Sequence, residues 1–213
     1  MKKLKVLVLG NDTQINDIEF DRLGSDIVTL GVNRIWLKHI PNYLFFNDYD
    51  IVEELNHAPE TLAQLRQNST IFSSDWLMHN ARKTRKVIPN WVRVYDRPNK
   101  VKYPDSVSTA IEIFKTALQK TNQITFYVAG VSLKWKEPSH FWKELGHPGM
   151  NQKSEDWYRP RFERMLENFK HLKGMKYDVV SVNPDSSLNR LFRYENIGNL
   201  YSKRLERDSN RLR

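Results

Sequence analysis

Leu4-Lys5-Val6-Leu7-Val8-Leu9-Gly10-Asn11-Asp12-Thr13 is the stretch that decides how this chain folds. The run from Leu4 to Leu9 is mostly apolar and does not alternate, as a strand covered on both faces should read. It stops at Gly10-Asn11, which leaves bare backbone and a small amide at the strand's carboxyl end. Open α/β sheets bind nucleotides at such ends.

Further short apolar runs follow at intervals. Ile27–Gly31, Tyr43–Phe46, Thr70–Phe72, Val92–Tyr95, Ile124–Ala129 and Val179–Val182 are predicted strands. Helical patterns lie between them. Pro59-Glu60 starts one that runs through Leu62 and Leu65. Ser106 or Ser108 is placed to cap a second, with Ala110, Ile113, Phe114, Ala117 and Leu118 on its apolar stripe. Pro160 suits the first turn of a third, with Phe162, Met165, Leu166 and Phe169 inward and Gly174 beyond its end. Strands alternating with helices predict an α/β fold: a Rossmann-like, mainly parallel sheet with helices on both faces. Two stretches break the rhythm. Residues 76–104 are basic and rich in Asn and Pro, with one strand-like segment. Residues 131–157 follow a strand and form a long segment expected to lie over the carboxyl edge as a lid. The expected organisation is a single domain over 1–213, with the lid at about 131–157 and a basic C-terminal tail at about 202–213.

Composition narrows the classes. At 213 residues, with 39% hydrophobic and 28% charged side chains, the chain is globular and long enough for a sizeable core. It has no cysteine, so disulfides, zinc-thiolate sites and cysteine nucleophiles are excluded. No apolar run approaches the roughly 20 residues of a membrane helix, and Met1-Lys2-Lys3 leads straight into a strand. A soluble, cytoplasmic protein is expected. Lys and Arg number 34 against 25 Asp and Glu, a net charge of +9 that favours phosphate-bearing partners. The basic clusters at 82–86, 100–102 and 203–213, with Trp76, Trp91, Tyr95 and Tyr103 near the first two, suit a solvated face or a nucleic-acid contact.

Three predicted strands end alike, at Gly10-Asn11, Gly31-Val32-Asn33 and Phe46-Asn47-Asp48. In a parallel sheet these ends share one edge, where Asn11, Asn33 and Asn47 can bond a ribose, a base edge or a phosphate, or simply turn the chain. Gly130 closes the strand Ile124–Ala129 and admits close approach. Ser106 and Ser108 open a helix whose first amides suit an anion, or serve as plain caps. There is no G-x-G-x-x-G, no P-loop lysine motif and no H-E-x-x-H, so neither a dinucleotide site nor a metal site is expected. His140 and His147 share the lid segment, and His147 sits in the turn-rich Gly146-His147-Pro148-Gly149. An imidazole there suits general-base chemistry near neutral pH.

In their order along the chain these positions resemble the bacterial sialyltransferases that build lipooligosaccharide, and related Rossmann-like glycosyltransferases. Val8-Leu9-Gly10-Asn11-Asp12, followed by Ile18-Glu19-Phe20-Asp21-Arg22-Leu23, is similar to the family's opening Gly-Asn-Gly-Pro-Ser loop and the segment after it. Asn33 and Asn47 sit where the family places its next two nucleotide-contacting asparagines. Phe126-Tyr127-Val128-Ala129-Gly130 resembles the strand leading into its Gly-Ile-Asp turn, and Leu145-Gly146-His147 its lid histidine motif. Val180-Ser181-Val182-Asn183-Pro184-Asp185-Ser186-Ser187-Leu188 resembles its last strand and Pro-Asn-Ser turn. There are departures: Asp12 replaces the second glycine of the first loop, Ser132 the aspartate after Gly-Ile, and Lys134 a phosphate-binding tyrosine. The Asp12 carboxylate would repel a donor phosphate unless turned away.

The resemblance implies inverting transfer of a sugar from a nucleotide-sugar donor, CMP-linked in the family, with no cofactor and no obligatory metal. It implies His147 as the base and Lys134 as the stabiliser of the leaving phosphate, helped by Lys136 or Tyr158. Gly10, Asn11, Asp12, Asn33, Asn47, Ser106, Ser108, Gly130 and Ser132 would line the donor nucleotide. Trp135, His140, Trp142 and Tyr158 would belong to the acceptor side or the lid. The partners would be the nucleotide-sugar and an acceptor hydroxyl, on a glycan or on a hydroxylated DNA base. The alternative is a non-catalytic nucleotide- or nucleic-acid-binding protein of the same fold.

Overall fold

The structure is a computed structural model and describes residues 3–97, 104–119, 123–135, 138, 140–146, 154–173 and 177–202. Eight strands form one sheet: β1 (Leu4–Leu9), β2 (Ile27–Val32), β3 (Tyr43–Phe45), β4 (Thr70–Ser74), β5 (Arg93–Tyr95), β6 (Ile124–Ala129), β7 (Asp178–Ser181) and β8 (Arg193–Tyr194). Their order is β5-β4-β3-β2-β1-β6-β7-β8, and every pairing is parallel. The chain winds outward from β1 to β5, then returns to the other flank of β1 as β6. The direction of winding therefore reverses between β1 and β6. Ligands of open α/β sheets sit in the crevice that such a reversal leaves at the carboxyl ends.

Among the described residues the α-helices are α1 (Tyr49–Asn56), α2 (Pro59–Asn68), α3 (Asp75–Lys83), α4 (Ser106–Ile113), α5 (Phe141–Glu144) and α6 (Glu155–Lys173). Alternate strand residues serve the two faces, because successive side chains point to opposite sides. Leu7, Leu9, Leu44, Phe46, Ile71, Tyr127 and Val180 pack with Ile51, Leu55, Leu65, Leu77 and Phe141, from α1, α2, α3 and α5. Val6, Val8, Leu30, Phe45, Phe72, Phe126 and Val179 pack with Ala110, Ile111, Ile113 and Phe169, from α4 and α6. Both faces are covered, which is why the strands read as continuous apolar runs.

Several helix boundaries depart from expectation. Ser106 and Ser108 lie inside α4, and the cap is Asp105, whose carboxylate accepts from the Ser108 amide at 2.7 Å. Asn168 of α6 donates to the same carboxylate at 2.8 Å, so the cap also ties the two helices together. Pro160 lies within α6, which starts at Glu155. The missing amide at this sixth position removes one early bond of the ladder. Gly174 lies outside the described residues. The stretch 76–104, which reads as irregular, carries most of α3, capped by Ser74 with Trp76 donating at 3.3 Å. The lid segment contains α5, and α6 begins within its last residues. No helix among the described residues is long and apolar enough to cross a membrane. The tail at 203–213 lies outside the described residues.

Candidate active site at the carboxyl edge

Register places the three asparagines together. Leu9 pairs with Gly31 on one side and Ala129 on the other, and Val32 pairs with Phe45. The ladder continues past the strand ends. Gly10 donates to the Ala129 carbonyl at 2.9 Å, Asp12 to the Gly130 carbonyl at 2.9 Å, and Asn33 to the Phe45 carbonyl at 2.8 Å. Asn11, Asn33 and Asn47 thus follow three adjacent strands at one edge, within two strand spacings of about 4.8 Å each.

The loops after β1 and β6 meet through their glycines. A side chain at Gly10 would lie 2.3 Å from the Gly130 carbonyl oxygen. Gly130 has φ of +65°, and a Cβ there would lie 2.6 Å from Ile15. Gln14 locks the junction: its Oε1 accepts from the Gly130 amide at 2.8 Å, and its Nε2 donates to the Val182 carbonyl at 3.0 Å. Asp12 is spent locally. Its Oδ1 accepts from the Gln14 amide at 3.1 Å and caps the 3-10 turn Thr13–Asp17. The carboxylate that interrupts the glycine pattern is therefore tied to its own turn.

The asparagines differ in how far their amides are used. Asn33 takes a left-handed φ of 51°, which Asn tolerates, and its Oδ1 accepts from the Ser106 hydroxyl at 3.3 Å. Ser106 therefore reaches the asparagine row, whereas the Ser108 hydroxyl donates to Asp105. Asn47 accepts from the Ser74 hydroxyl at 2.7 Å and, through its carbonyl, from Asn80 at 3.3 Å. Its Nδ2 is buried and has no partner among the described residues. The same holds for Asn11 Oδ1 and for Trp142 Nε1. Asn47 and Trp142 are each only 4% exposed. Buried polar groups are normally paired. An acceptor and two donors are thus left without partners among the described residues.

Helix α5 packs onto this edge. Phe141 of α5 donates its amide to the Asn11 carbonyl at 3.0 Å. Arg34, next to Asn33, grips Glu54 of α1 through Nε at 2.8 Å and lies 5.3 Å from the Trp142 ring centroid. His140 stacks on Trp142 at 4.4 Å and lies 6.0 Å from Tyr158, which lies 5.3 Å from Trp135. The four residues expected at the acceptor side or lid therefore form one aromatic cluster. Ser132 accepts through its carbonyl from the Ser187 amide at 2.8 Å, joining the loops after β6 and β7. Lys134 follows in the same loop, after Leu133 with φ of 53°, and is exposed. His147 lies outside the described residues, as do Lys136, Lys100 and Lys102. In the cluster at 82–86, Lys86 pairs with Glu53.

Two titrating groups respond to this setting. Burial, then the positive charge of Arg34, lowers His140 from 6.5 to about 4, with Asp12 pulling the other way. The ring is therefore neutral near pH 7. Burial raises the Asp48 carboxyl above its usual value against the pull of Arg34, while Asp50 adds to the rise. The unfolded chain takes up a proton at His140 near pH 6.5, whereas the folded chain does so only near pH 4. Stability is then complete above pH 6.5 and falls by up to about 3 kcal/mol on acidification toward pH 4. Urea unfolding of His140→Gln should show a smaller acid loss than the parent. An equal loss in both would mean that the ring titrates normally.

The sequence reading passes over Gln14, Arg34, Glu54, Asp48 and Asp105. Arg34 and Asp48 each directly follow an asparagine at a strand end, and that adjacency is the signal that could have singled them out. No group of three His, Asp or Glu side chains suited to a metal gathers among the described residues.

No protein-family model matches the chain, and no curated protein matches its sequence. Solved structures do match. The Campylobacter jejuni sialyltransferase CstII, in complex with the substrate analogue CMP-3FNeuAc, superposes with a TM-score of 0.53 at 17% identity, covering 93% of this chain and 87% of that one. CST-II in complex with a trisaccharide acceptor and CMP gives 0.54 at 14% identity, over 93% and 88%. The monofunctional alpha-2,3-sialyltransferase Cst-I of the same organism gives 0.56 at 16% identity, over 94% and 83%. The sheet, its order and the loops at its carboxyl edge are those of a Rossmann-like α/β fold, and the chain shares that fold with these sialyltransferases.

Proposed function

We propose that this protein is a glycosyltransferase that takes a CMP-activated sugar and passes the sugar to an acceptor hydroxyl. One observation carries the reading: Asn11 Oδ1, Asn47 Nδ2 and Trp142 Nε1 are buried without a partner among the described residues, and the two asparagines follow β1 and β3 at the carboxyl edge of the sheet. Cytosine and ribose offer both donors and acceptors to match them. The bound CMP and CMP-3FNeuAc named for the fold's neighbours support this choice of donor.

In the proposed reaction the acceptor oxygen forms a bond to the anomeric carbon as the bond from that carbon to the phosphate oxygen breaks. The hydroxyl proton passes to His147, and CMP leaves with the electron pair. Attack from the side opposite the phosphate inverts the anomeric centre. Lys134 stabilises the phosphate charge as it develops, the role a metal fills elsewhere. Transfer should therefore persist in excess chelator, and a loss restored by a divalent cation would refute the metal-free step. The cytoplasm is the proposed setting. The acceptor is a glycan or a hydroxylated DNA base. Steep loss of acceptor binding with salt would select DNA, because released counterions make such binding salt-dependent.

A donor panel tests the function directly. CMP-sugars, but not UDP- or GDP-sugars, should stabilise the folded chain by about 3 kcal/mol at a hundredfold excess over Kd, read as a rise in Tm. They should also release free sugar slowly without acceptor. Neither stabilisation nor hydrolysis by any of the three would overturn the proposal. Asn47→Ala should weaken CMP binding by about 1–3 kcal/mol, the typical cost of leaving a buried ligand group unpaired.

A further inference from the structure

A cavity of about 460 Å³ opens between the loop after β6, the first half of α6 and the turn after β7. Leu133, Phe162 and Leu166 give it an apolar side, and Trp135 gives it an indole wall. Lys134 and Arg190 also line it. A third cation, Arg159, is bound to Glu155 at 3.0 Å. Lys134 and Arg190 have no carboxylate partner among the described residues. Glu163 completes the lining as a hydrogen-bond acceptor.

An aromatic plane suits the apolar face of a pyranose, and a guanidinium suits a planar or tetrahedral oxyanion through paired hydrogen bonds. The cavity brings both together next to the loop that carries Lys134. Its size lies within the range of small-molecule sites. Lys134, Arg159 and Arg190 outnumber Glu155 and Glu163 in the lining, an excess of positive charge that favours an anionic guest.

We propose that this cavity is the acceptor subsite and that it selects an acceptor sugar bearing an anionic group, a phosphate or a carboxylate. The inference rests on the glycosyltransferase reading and names its acceptor class. Arg190 holds the anion, Trp135 carries the ring, and Lys134 adds its charge beside the donor phosphate. Glu163 accepts from a sugar hydroxyl. An anion here also fixes which hydroxyl points at the crevice, so charge recognition becomes regiochemistry.

Calorimetric titration of the full chain, with CMP present, tests this with galactose, galactose 6-phosphate and N-acetylneuraminic acid. At least one acidic sugar should bind tenfold or more tightly than galactose, and which of the two does so identifies the anion. Arg190→Glu should abolish that preference, and Arg190→Lys should restore part of it. Arg190 is exposed, so the melting temperatures of both variants should stay near that of the parent. Equal binding of all three sugars, or an unchanged preference in Arg190→Glu, overturns the subsite while leaving the donor reading intact. Failure of the parent chain to bind CMP removes the donor reading, and the acceptor assignment goes with it.

Discussion

His147→Ala is expected to reduce transfer by about 10²–10⁴-fold while CMP affinity stays near the parent value, because that is the usual contribution of a general base. The base must be unprotonated to accept the acceptor's proton, so transfer should be lost as the pH falls through its pKa. Two histidines of the segment 131–157, His140 and His147, are candidates for the role. His140 is buried against Trp142 beside Arg34, which places its titration near pH 4. Such a ring is neutral under working conditions but accepts a proton poorly. His147 follows α5 within the turn-rich stretch that begins at Gly146. With His147 as the base, the acid limb of the rate should vanish in His147→Ala and persist in His140→Gln. Activity within about tenfold of the parent, or an acid limb near pH 4 that disappears in His140→Gln, would transfer the role to His140.

Gly130→Ala should be strongly destabilising. The backbone there is left-handed, which costs an L-residue about 1–2 kcal/mol. The new Cβ would also lie 2.6 Å from the Ile15 side chain, and overpacking of that kind adds about 1–3 kcal/mol. The sum, about 2–5 kcal/mol, is a large part of the 5–15 kcal/mol typical of a whole domain. Gly146→Ala separates the two causes. It has a similar φ of 75°, but no described residue lies within 4 Å of its would-be Cβ. It should lose only the backbone share. Thermal unfolding of the two variants checks the difference, and equal losses would show that Ile15 yields. Gly10→Ala, whose Cβ would meet the Gly130 carbonyl backbone at 2.3 Å, should behave like Gly130→Ala. The bare backbone at the end of β1 is thus required for two loops to touch, whatever they bind.

Much of the fold is legible along the chain, and the exceptions have causes. Ile124–Ala129 is found to the residue because a strand buried on both faces is marked by composition alone. Arg193–Tyr194 is missed because a two-residue exposed edge strand has no apolar signature. In Asp105-Ser106-Val107-Ser108, three residues are good caps by type. Asp105 takes the role because its backbone is extended, with φ of −84° and ψ of 154°, while the serines are helical. The lid reads as a loop because α5 has four residues, too few for a helical period to show.

The candidate site divides in the same way. Asn11, Asn33 and Asn47 are visible as strand-terminal amides, and register confirms that they share an edge. Gln14, Arg34 and Glu54 are ordinary polar residues in sequence. Gln14 matters only because it spans from β1 to the ends of β6 and β7. Arg34 and Glu54 matter only because a 3-10 segment and α1 bring them face to face beside Trp142.

By itself the sequence determined the fold class, the two-faced burial of the strands and the row of small amides, since each depends on residues close together along the chain. Only the tertiary structure decided that β6 returns beside β1, which reverses the winding there, and that Asn47 spends its oxygen on Ser74 while its nitrogen meets no partner among the described residues. Strand order and hydrogen-bond partners are settled by pairings across long separations, and no local pattern records which partner a side chain will meet.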